Sequence, residues 1–228
     1  MDWNQVVQKV MNYIVHIYTP DGSGTGFLCL YNQTKAFCGI ATALHVVEQA
    51  DNWQQPIRLV HYLSNKPHFL KEDDRIIFTN RETDSAVIFF PKPEVPFPDE
   101  LIPLLPINKP LSIGNEVGWL GFPAIDPNTL CFFSGNVSAR QETRNAYLID
   151  GVAIHGVSGG PVIYISDTDG VQFVGIVSQY RANRVTGEAL PGLLYAQDVS
   201  HFHSVLKTVE SFDEARKKKQ EAVQLSAP

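Results

Sequence analysis

The chain has 228 residues, 44% of them hydrophobic and 18% charged, with a formal net charge of −6. That length gives room for one large or two small domains with a buried core, and the composition is globular rather than disordered. The acidic balance and the lack of a basic stripe argue against a nucleic-acid partner, and no apolar run approaches the ~18–20 residues that span a bilayer.

The opening Met1-Asp2-Trp3-Asn4-Gln5 has no basic segment followed by an apolar core, so no signal peptide is read and a cytoplasmic location is expected, with secretion the alternative if a leader was removed. Val6 to Met11 has helical spacing and predicts a short leading helix. Tyr13 to Tyr18 is β-branched and aromatic and ends in Thr-Pro-Asp-Gly, a turn. Gly26 to Tyr31 and Ala36 to Ala43 read as a hairpin, followed by strands at Ile57 to Tyr62, Arg75 to Phe78 and Ser85 to Phe90. Three cysteines (Cys29, Cys38, Cys131) are too few, and odd in number, for a disulfide framework. Cys29 and Cys38 could face each other across the hairpin; buried free thiols are the default reading.

A proline-rich stretch over 91–112 suits an extended connector. Strands resume at Glu116 to Leu120, Leu130 to Ala139, Ala146 to Ile149, Pro161 to Ile165, Gln172 to Gln179 and Leu193 to Ala196. Val199 to Val209 has helical spacing, and the polar remainder is expected to fray, with Arg216-Lys217-Lys218-Lys219 a solvated helix end. Strands following strands, with helix only at the ends, predict an all-β fold. The expected division is a first barrel over 1–95, a linker over 96–112, a second barrel over 113–200, and a C-terminal helix with a polar tail over 201–228.

Residues 156–161 read Gly-Val-Ser-Gly-Gly-Pro. Glycine accepts φ > 0 without penalty, so the turn can bend sharply and aim the amides of Gly156 and Ser158 at one point where an oxyanion could sit. The plain alternative is a glycine-rich hairpin that contains a serine. A hydroxyl nucleophile needs a base and a group that orients the base. Upstream, His45 closes the apolar run Ala41 to Val47, and Asp84 precedes the buried-strand pattern Ser85 to Phe90. Alone, His45 reads as a strand-end histidine and Asp84 as a turn residue. In the order His, Asp, Ser, each in its own context, they read as a catalytic set.

The segments TALHVV, TDSAVI and GVSGGP, in that order, resemble the chymotrypsin-like (trypsin-like) serine proteases, most closely the HtrA-type protease domain. The likeness takes in Gly22-Ser23-Gly24-Thr25-Gly26-Phe27, Val117-Gly118-Trp119-Leu120-Gly121-Phe122-Pro123 and Val174-Gly175-Ile176-Val177-Ser178, and covers about residues 13–205. It implies two six-stranded β-barrels with the active site in the cleft between them. It also implies Ser158 as nucleophile, His45 as base, Asp84 as its orienting partner, and the Gly156 and Ser158 amides as oxyanion hole. Ser178-Gln179-Tyr180 would pair with an extended substrate, and Val152, Gln179, Tyr180 and Leu193 would wall the specificity pocket. No carboxylate stands at the pocket base, which suggests a small or medium apolar residue before the cleaved bond. Protein or peptide substrates are expected, with no cofactor, no metal, no nucleic acid and no membrane.

Three features depart from relatives. Val157 replaces the aspartate that many zymogen-activated members carry, so activity without N-terminal processing is expected. The stretch after Asp198 is too short for a PDZ domain, which suggests a stand-alone protease domain. His155 beside the turn invites comparison with viral enzymes that read Glu or Gln with a pocket histidine, although a plain cleft-side histidine is the simpler reading. Two rivals stay open: a protease fold that binds peptides without cutting them, and an α/β-hydrolase esterase using Asp198 with His201 or His203.

Overall fold

The computed structural model describes residues 2–152, 154–182 and 189–225, apart from the side chains of 179–182, 189–191 and 223–225. Helix α1 (Trp3–Val10) starts where the Asp2 carboxylate accepts the Gln5 amide at 2.9 Å, and it buries Val6 and Val10. A 3₁₀ turn (Met11–Tyr13) leads into strand β1 (Ile14–Thr19). Strands β2 (Gly22–Tyr31), β3 (Phe37–Ala43), β4 (Ile57–His61), β5 (Pro67–Leu70), β6 (Ile76–Asn80) and β7 (Ser85–Pro91) complete the first half. Helix α2 (Leu44–Asn52) follows β3 directly.

These seven strands form one sheet in the order β5-β4-β1-β2-β3-β7-β6, and the neighbouring strands pair antiparallel. Within the expected two-barrel architecture the first half is a half-barrel: seven strands rather than six, whose edge strands, β5 and β6, do not pair with each other among the described residues. Arg75 fills the gap between them. Its guanidinium, nearly buried, donates to the carbonyls of Leu70 at 2.8 Å, Ala50 at 3.3 Å and Gln55 at 2.8 Å. A side chain thus ties the end of β5 to helix α2 and to the loop that follows it. Arg75, read as the start of a strand, instead precedes β6.

The second half comprises β8 (Glu116–Gly121), β9 (Cys131–Gln141), β10 (Ala146–Asp150), β11 (Pro161–Ser166), β12 (Gly170–Ala182) and β13 (Ala189–Asp198). They close into a barrel in the order β10-β13-β12-β11-β8-β9. Closure removes the edges that the first half leaves open. Helix α3 (Ser200–Leu225) continues through the segment expected to fray. Asp213 on α3 accepts the Gln33 amide at 2.7 Å and the Asn32 side-chain amide at 3.1 Å, so the helix crosses back to the β2–β3 hairpin.

One apolar cluster runs through both halves. At its centre the Phe27 ring of β2 lies 4.5 Å from Phe173 of β12 and 6.3 Å from Phe202 of α3. Burying three such rings at the seam supplies the apolar area that fixes the halves against each other. The proline-rich connector lies on this seam. Leu105 donates to Phe173 O at 2.8 Å and Phe173 N to Pro103 O at 2.9 Å, while the Tyr13 hydroxyl caps Glu100 O at 2.6 Å. Cys29, Cys38 and Cys131 are free thiols; burial pushes Cys38 up to about 12, so it stays protonated. Among the described residues, no helix is long and apolar enough to cross a membrane.

Candidate active site

The seam ends in a cleft of about 510 Å³, whose lining includes His45, Gly22, Ser23, His155, Gly156 and Ser158. Its first wall is built at the junction of β3 and α2. A helix start leaves its first amides without intrahelical partners, and Ala43 at the N-cap has no side chain to supply one. Asp84 supplies both. Its carbonyl accepts the Leu44 amide at 2.9 Å and its Oδ1 accepts the His45 amide at 3.0 Å. The other carboxylate oxygen, Oδ2, lies 2.8 Å from His45 Nδ1. One aspartate therefore caps the helix and orients the imidazole that the helix carries.

Asp84 can do so because its backbone sits at φ 45°, a left-handed conformation that aspartate tolerates better than most side chains. Asn80 shapes the turn before it by accepting the amides of Glu82 and Thr83 at 3.0 and 3.2 Å. From the second half, Ser178 Oγ donates to Asp84 Oδ2 at 2.6 Å. The β12–β13 register slips between Val177 and Gln179, so Ser178 is the extra residue of a bulge, which re-aims its side chain across the seam. Burial pushes the Asp84 pKa up, but the hydrogen bond and charge of His45, with the Ser178 and backbone bonds, outweigh it. The net shift is below the ordinary carboxylate value, and Asp84 is an anion at neutral pH.

The second wall is the Gly156–Gly160 turn. Gly156 has φ +90° and Gly159 φ +81°, and a side chain at either would strike backbone: at Gly156 a Cβ would lie 2.3 Å from Phe122 O, at Gly159 2.2 Å from Thr25 O. The His155 carbonyl accepts the Ala124 amide at 2.7 Å. In a planar trans peptide the C=O and N–H point opposite ways, so this bond turns the Gly156 N–H away from Ala124. Val157 O accepts the Gly160 amide at 2.9 Å, which orients the Ser158 N–H in the same manner. Among the described residues neither the Gly156 nor the Ser158 amide has an acceptor. Such a pair is what a developing oxyanion requires. The Ser158 hydroxyl and the His45 ring line one cleft, although among the described residues no hydrogen bond joins them.

The residues expected to wall a specificity pocket are more dispersed. Val152 is 53% exposed and does not belong to the lining shared by His45 and Ser158. Leu193 is half-buried on β13 opposite Asp150. Gln179 and Tyr180 pair through their backbones with Tyr195 and Leu194, while their side chains lie outside the described residues. His155 is exposed on the cleft rim. Val157 is buried against Gly121, an apolar setting with no counter-charge to a chain terminus.

The esterase alternative fails on both fold and geometry. The sheets are antiparallel with no alternating helices. Asp198 is bound to Arg140 at 2.6 Å, and the rings of His201 and His203 reach the carbonyls of Phe78 at 3.2 Å and Leu105 at 2.9 Å. Reading the residues alone missed the cap that Asp84 provides and the Ala124 amide behind the turn. Leu44, Val47 and Ala50 at three-residue spacing were the available signal for α2.

An antiparallel sheet and a closed barrel, with histidine and aspartate on one side of their seam and a glycine-flanked serine on the other, define the chymotrypsin-like fold. Residues 24–176, well over half of the chain, match the trypsin-like peptidase domain, and the chain belongs to that family of serine proteases. Solved structures of the same fold include a serine endoprotease from Yersinia pestis, with a TM-score of 0.66 at 21% identity, covering 92% of this chain and 67% of that one. The Rv3671c protease of M. tuberculosis H37Rv is also similar, as a serine-to-alanine variant in its inactive form, with a TM-score of 0.63 at 17% identity and 92% of each chain covered. Comparison with curated protein sequences finds no match.

Proposed function

We propose that the protein is an endopeptidase in which Ser158, His45 and Asp84 act as one unit. The observation that carries this reading is the two-point grip of Asp84 on His45, at the backbone amide and at Nδ1, beside Ser158 in a common cleft. With Nδ1 engaged, Nε2 is the ring nitrogen left to accept the serine proton. Ser158 Oγ then attacks the peptide carbonyl, and the oxygen that gains charge lies between the Gly156 and Ser158 amides. Removal of one such donor in other enzymes costs about 3 kcal/mol of transition-state stabilisation. His45 returns the proton to the departing amine, and a water repeats the sequence on the acyl-enzyme to release the acid. The Ser158–His45 hydrogen bond forms as substrate fills the cleft, where catalytic contacts tighten.

The substrate is an extended peptide whose acyl side pairs with the edge of β12 at Ser178–Tyr180, as one added strand. A small or medium apolar residue before the cleaved bond is expected, because no carboxylate stands among the residues assigned to the pocket walls. The protein acts without N-terminal trimming, because Val157 offers no partner for a new terminus. In this reading 1–95 carries the base and its aspartate, and 113–200 carries the nucleophile.

A fluorophosphonate probe tests the nucleophile: labelling of the wild type that vanishes in Ser158→Ala supports the reading. No labelling across several pH values favours a peptide binder that does not cut. A labelled peptide-library digest tests the specificity, and cleavage after Lys, Arg or Glu would overturn the apolar preference.

A further inference from the structure

Two segments of the family likeness, Gly22–Phe27 on β2 and Val117–Pro123 at the end of β8, hold none of the reacting groups, yet they meet at one hydroxyl. Thr25 is fully buried, and each of its polar atoms is engaged. Its Oγ1 donates to Gly156 O at 3.1 Å and accepts from the Phe122 amide at 3.1 Å. Its own amide donates to Ser158 O at 2.8 Å, and its carbonyl accepts from Thr42 Oγ1 at 2.8 Å.

Four consecutive carbonyls of the serine turn are thereby held by four donors. Residue 155 is held by the Ala124 amide, 156 by the Thr25 hydroxyl, 157 by the Gly160 amide and 158 by the Thr25 amide. A fixed carbonyl fixes the N–H of the same peptide plane. Gly156 lies between the planes held by Ala124 and by the Thr25 hydroxyl, and glycine has no Cβ to limit its own rotation. The hydroxyl also holds Phe122, two residues before the Ala124 that fixes the preceding plane. The surrounding glycines make room for this contact: a Cβ at Gly121 would come within 3.0 Å of Thr25 Oγ1, and one at Gly24 within 3.2 Å of Ser158 O.

We propose that Thr25 is a positioning residue for the oxyanion turn, its hydroxyl holding the Gly156 and Ser158 amides in register across the seam. This rests on the reading of Ser158 as nucleophile. Thr25→Val keeps the shape and removes the hydroxyl, leaving Gly156 O and the Phe122 N–H without partners. Removal of an oxyanion donor itself lowers kcat about 10²–10³-fold, so a loosened donor pair lowers it about 10–100-fold, with KM changed less than about threefold. Thr25→Ser keeps the hydroxyl and restores kcat to within about threefold of wild type.

Assays run at temperatures where circular dichroism shows each variant folded, with Thr25→Ala as a second removal of the hydroxyl. Amide hydrogen exchange supplies a readout independent of turnover: the Phe122 and Gly156–Ser158 amides exchange faster in the valine and alanine variants, and at the wild-type rate in the serine variant. Unchanged kcat in both hydroxyl-free variants, a loss confined to KM, or a serine variant as slow as the valine variant would each overturn the proposal. A wild type that neither cuts nor labels overturns the protease reading instead. The clamp itself is then decided by exchange alone, and equal exchange in wild type and Thr25→Val refutes it.

Discussion

The two walls of the cleft hold His45 and Ser158 by different means. On the first, His45 is fixed through a side chain: Asp84 reaches across from the turn before β7 to bind both the backbone and the ring of the histidine. On the second, Ser158 is fixed through its backbone, in a turn whose carbonyls at 155–158 are each bonded and whose glycines sit where no Cβ fits. A side chain on the first wall can be replaced with little change of fold and large change of chemistry. On the second wall, adding a single methyl disturbs the fold itself.

Asp84→Asn gives the largest effect and probes the first wall. The amide keeps one acceptor for either the His45 N–H or its ring, but its NH2 group faces whichever it does not accept. The ring is then free to take the wrong tautomer, and kcat falls on the order of 10³–10⁴-fold while substrate still binds. Steady-state kinetics on a library-derived peptide reads this. A fall of less than tenfold would mean that Asp84 serves only as a helix cap.

Gly159→Ala probes the second wall. Its φ of +81° is strained for alanine, and the new Cβ would lie 2.2 Å from both Thr25 O and Thr42 Oγ1. Neither neighbour is a flexible side-chain end, so a loss of about 3–5 kcal/mol is expected in denaturant unfolding. Gly170→Ala is the control. Its φ is +71° but nothing lies within 4 Å of the added carbon, so only backbone strain of about 1 kcal/mol is expected. Equal losses at the two positions would show that conformation, not the crowded seam, sets the demand for glycine.

The contrast between the walls also explains what could be read from the chain. The serine turn was legible because glycine and proline report local backbone geometry directly. The strands of the second half were legible because each is an apolar run between turn signals; β9, for example, is observed over Cys131–Gln141 against an expected Leu130 to Ala139. Strand β5 was missed, because four residues beginning at Pro67 give too little alternation. Helix α2 was not foreseen, since its cap comes from Asp84, some forty residues later. The open edge of the first sheet could not be foreseen either. Pairing of β5 with β6 is a relation between the two ends of the sheet, and the carbonyls that Arg75 reaches come from β5, α2 and a loop, which no local pattern encodes.

Ser178→Ala sharpens the account of how the walls communicate. The serine hydroxyl on the bulge of β12 is a side-chain bond from the second half to Asp84. Its loss leaves the carboxylate with both His45 contacts, so the change is smaller than for Asp84→Asn: about a tenfold drop in kcat, as for one charge-assisted hydrogen bond. A drop as large as that of Asp84→Asn would place the orientation of Asp84, rather than its charge, in control.

A pH dependence of stability separates the seam from the site. His16 on β1 is buried, its ring stacked on Phe122 at 4.2 Å and packed against Tyr18 at 4.1 Å, and its Nε2 has no partner among the described residues. Burial, helped by the nearby Arg58 charge, holds its pKa down at about 4, against 6.5 for an exposed histidine. The unfolded chain therefore binds this proton first as pH falls, so the stabilisation is intact above about 6.5, declines between 6.5 and 4, and is lost below. The full swing is on the order of 3 kcal/mol, and His61 and His201, also lowered by burial, add to the same limb. Asp84, lowered from 3.8, acts in a later window: its contribution is present above 3.8 and is lost as pH falls through its still lower folded value. Urea midpoints across pH 8 to 3 resolve the two. His16→Phe should preserve the stack, leave stability at pH 8 unreduced, and make the limb between 6.5 and 4 shallower, leaving the share of His61 and His201, while the lower limb remains. An unchanged upper limb in this variant would mean that the buried imidazole is not what acid attacks first, and that the seam is less dry than its stacked rings require.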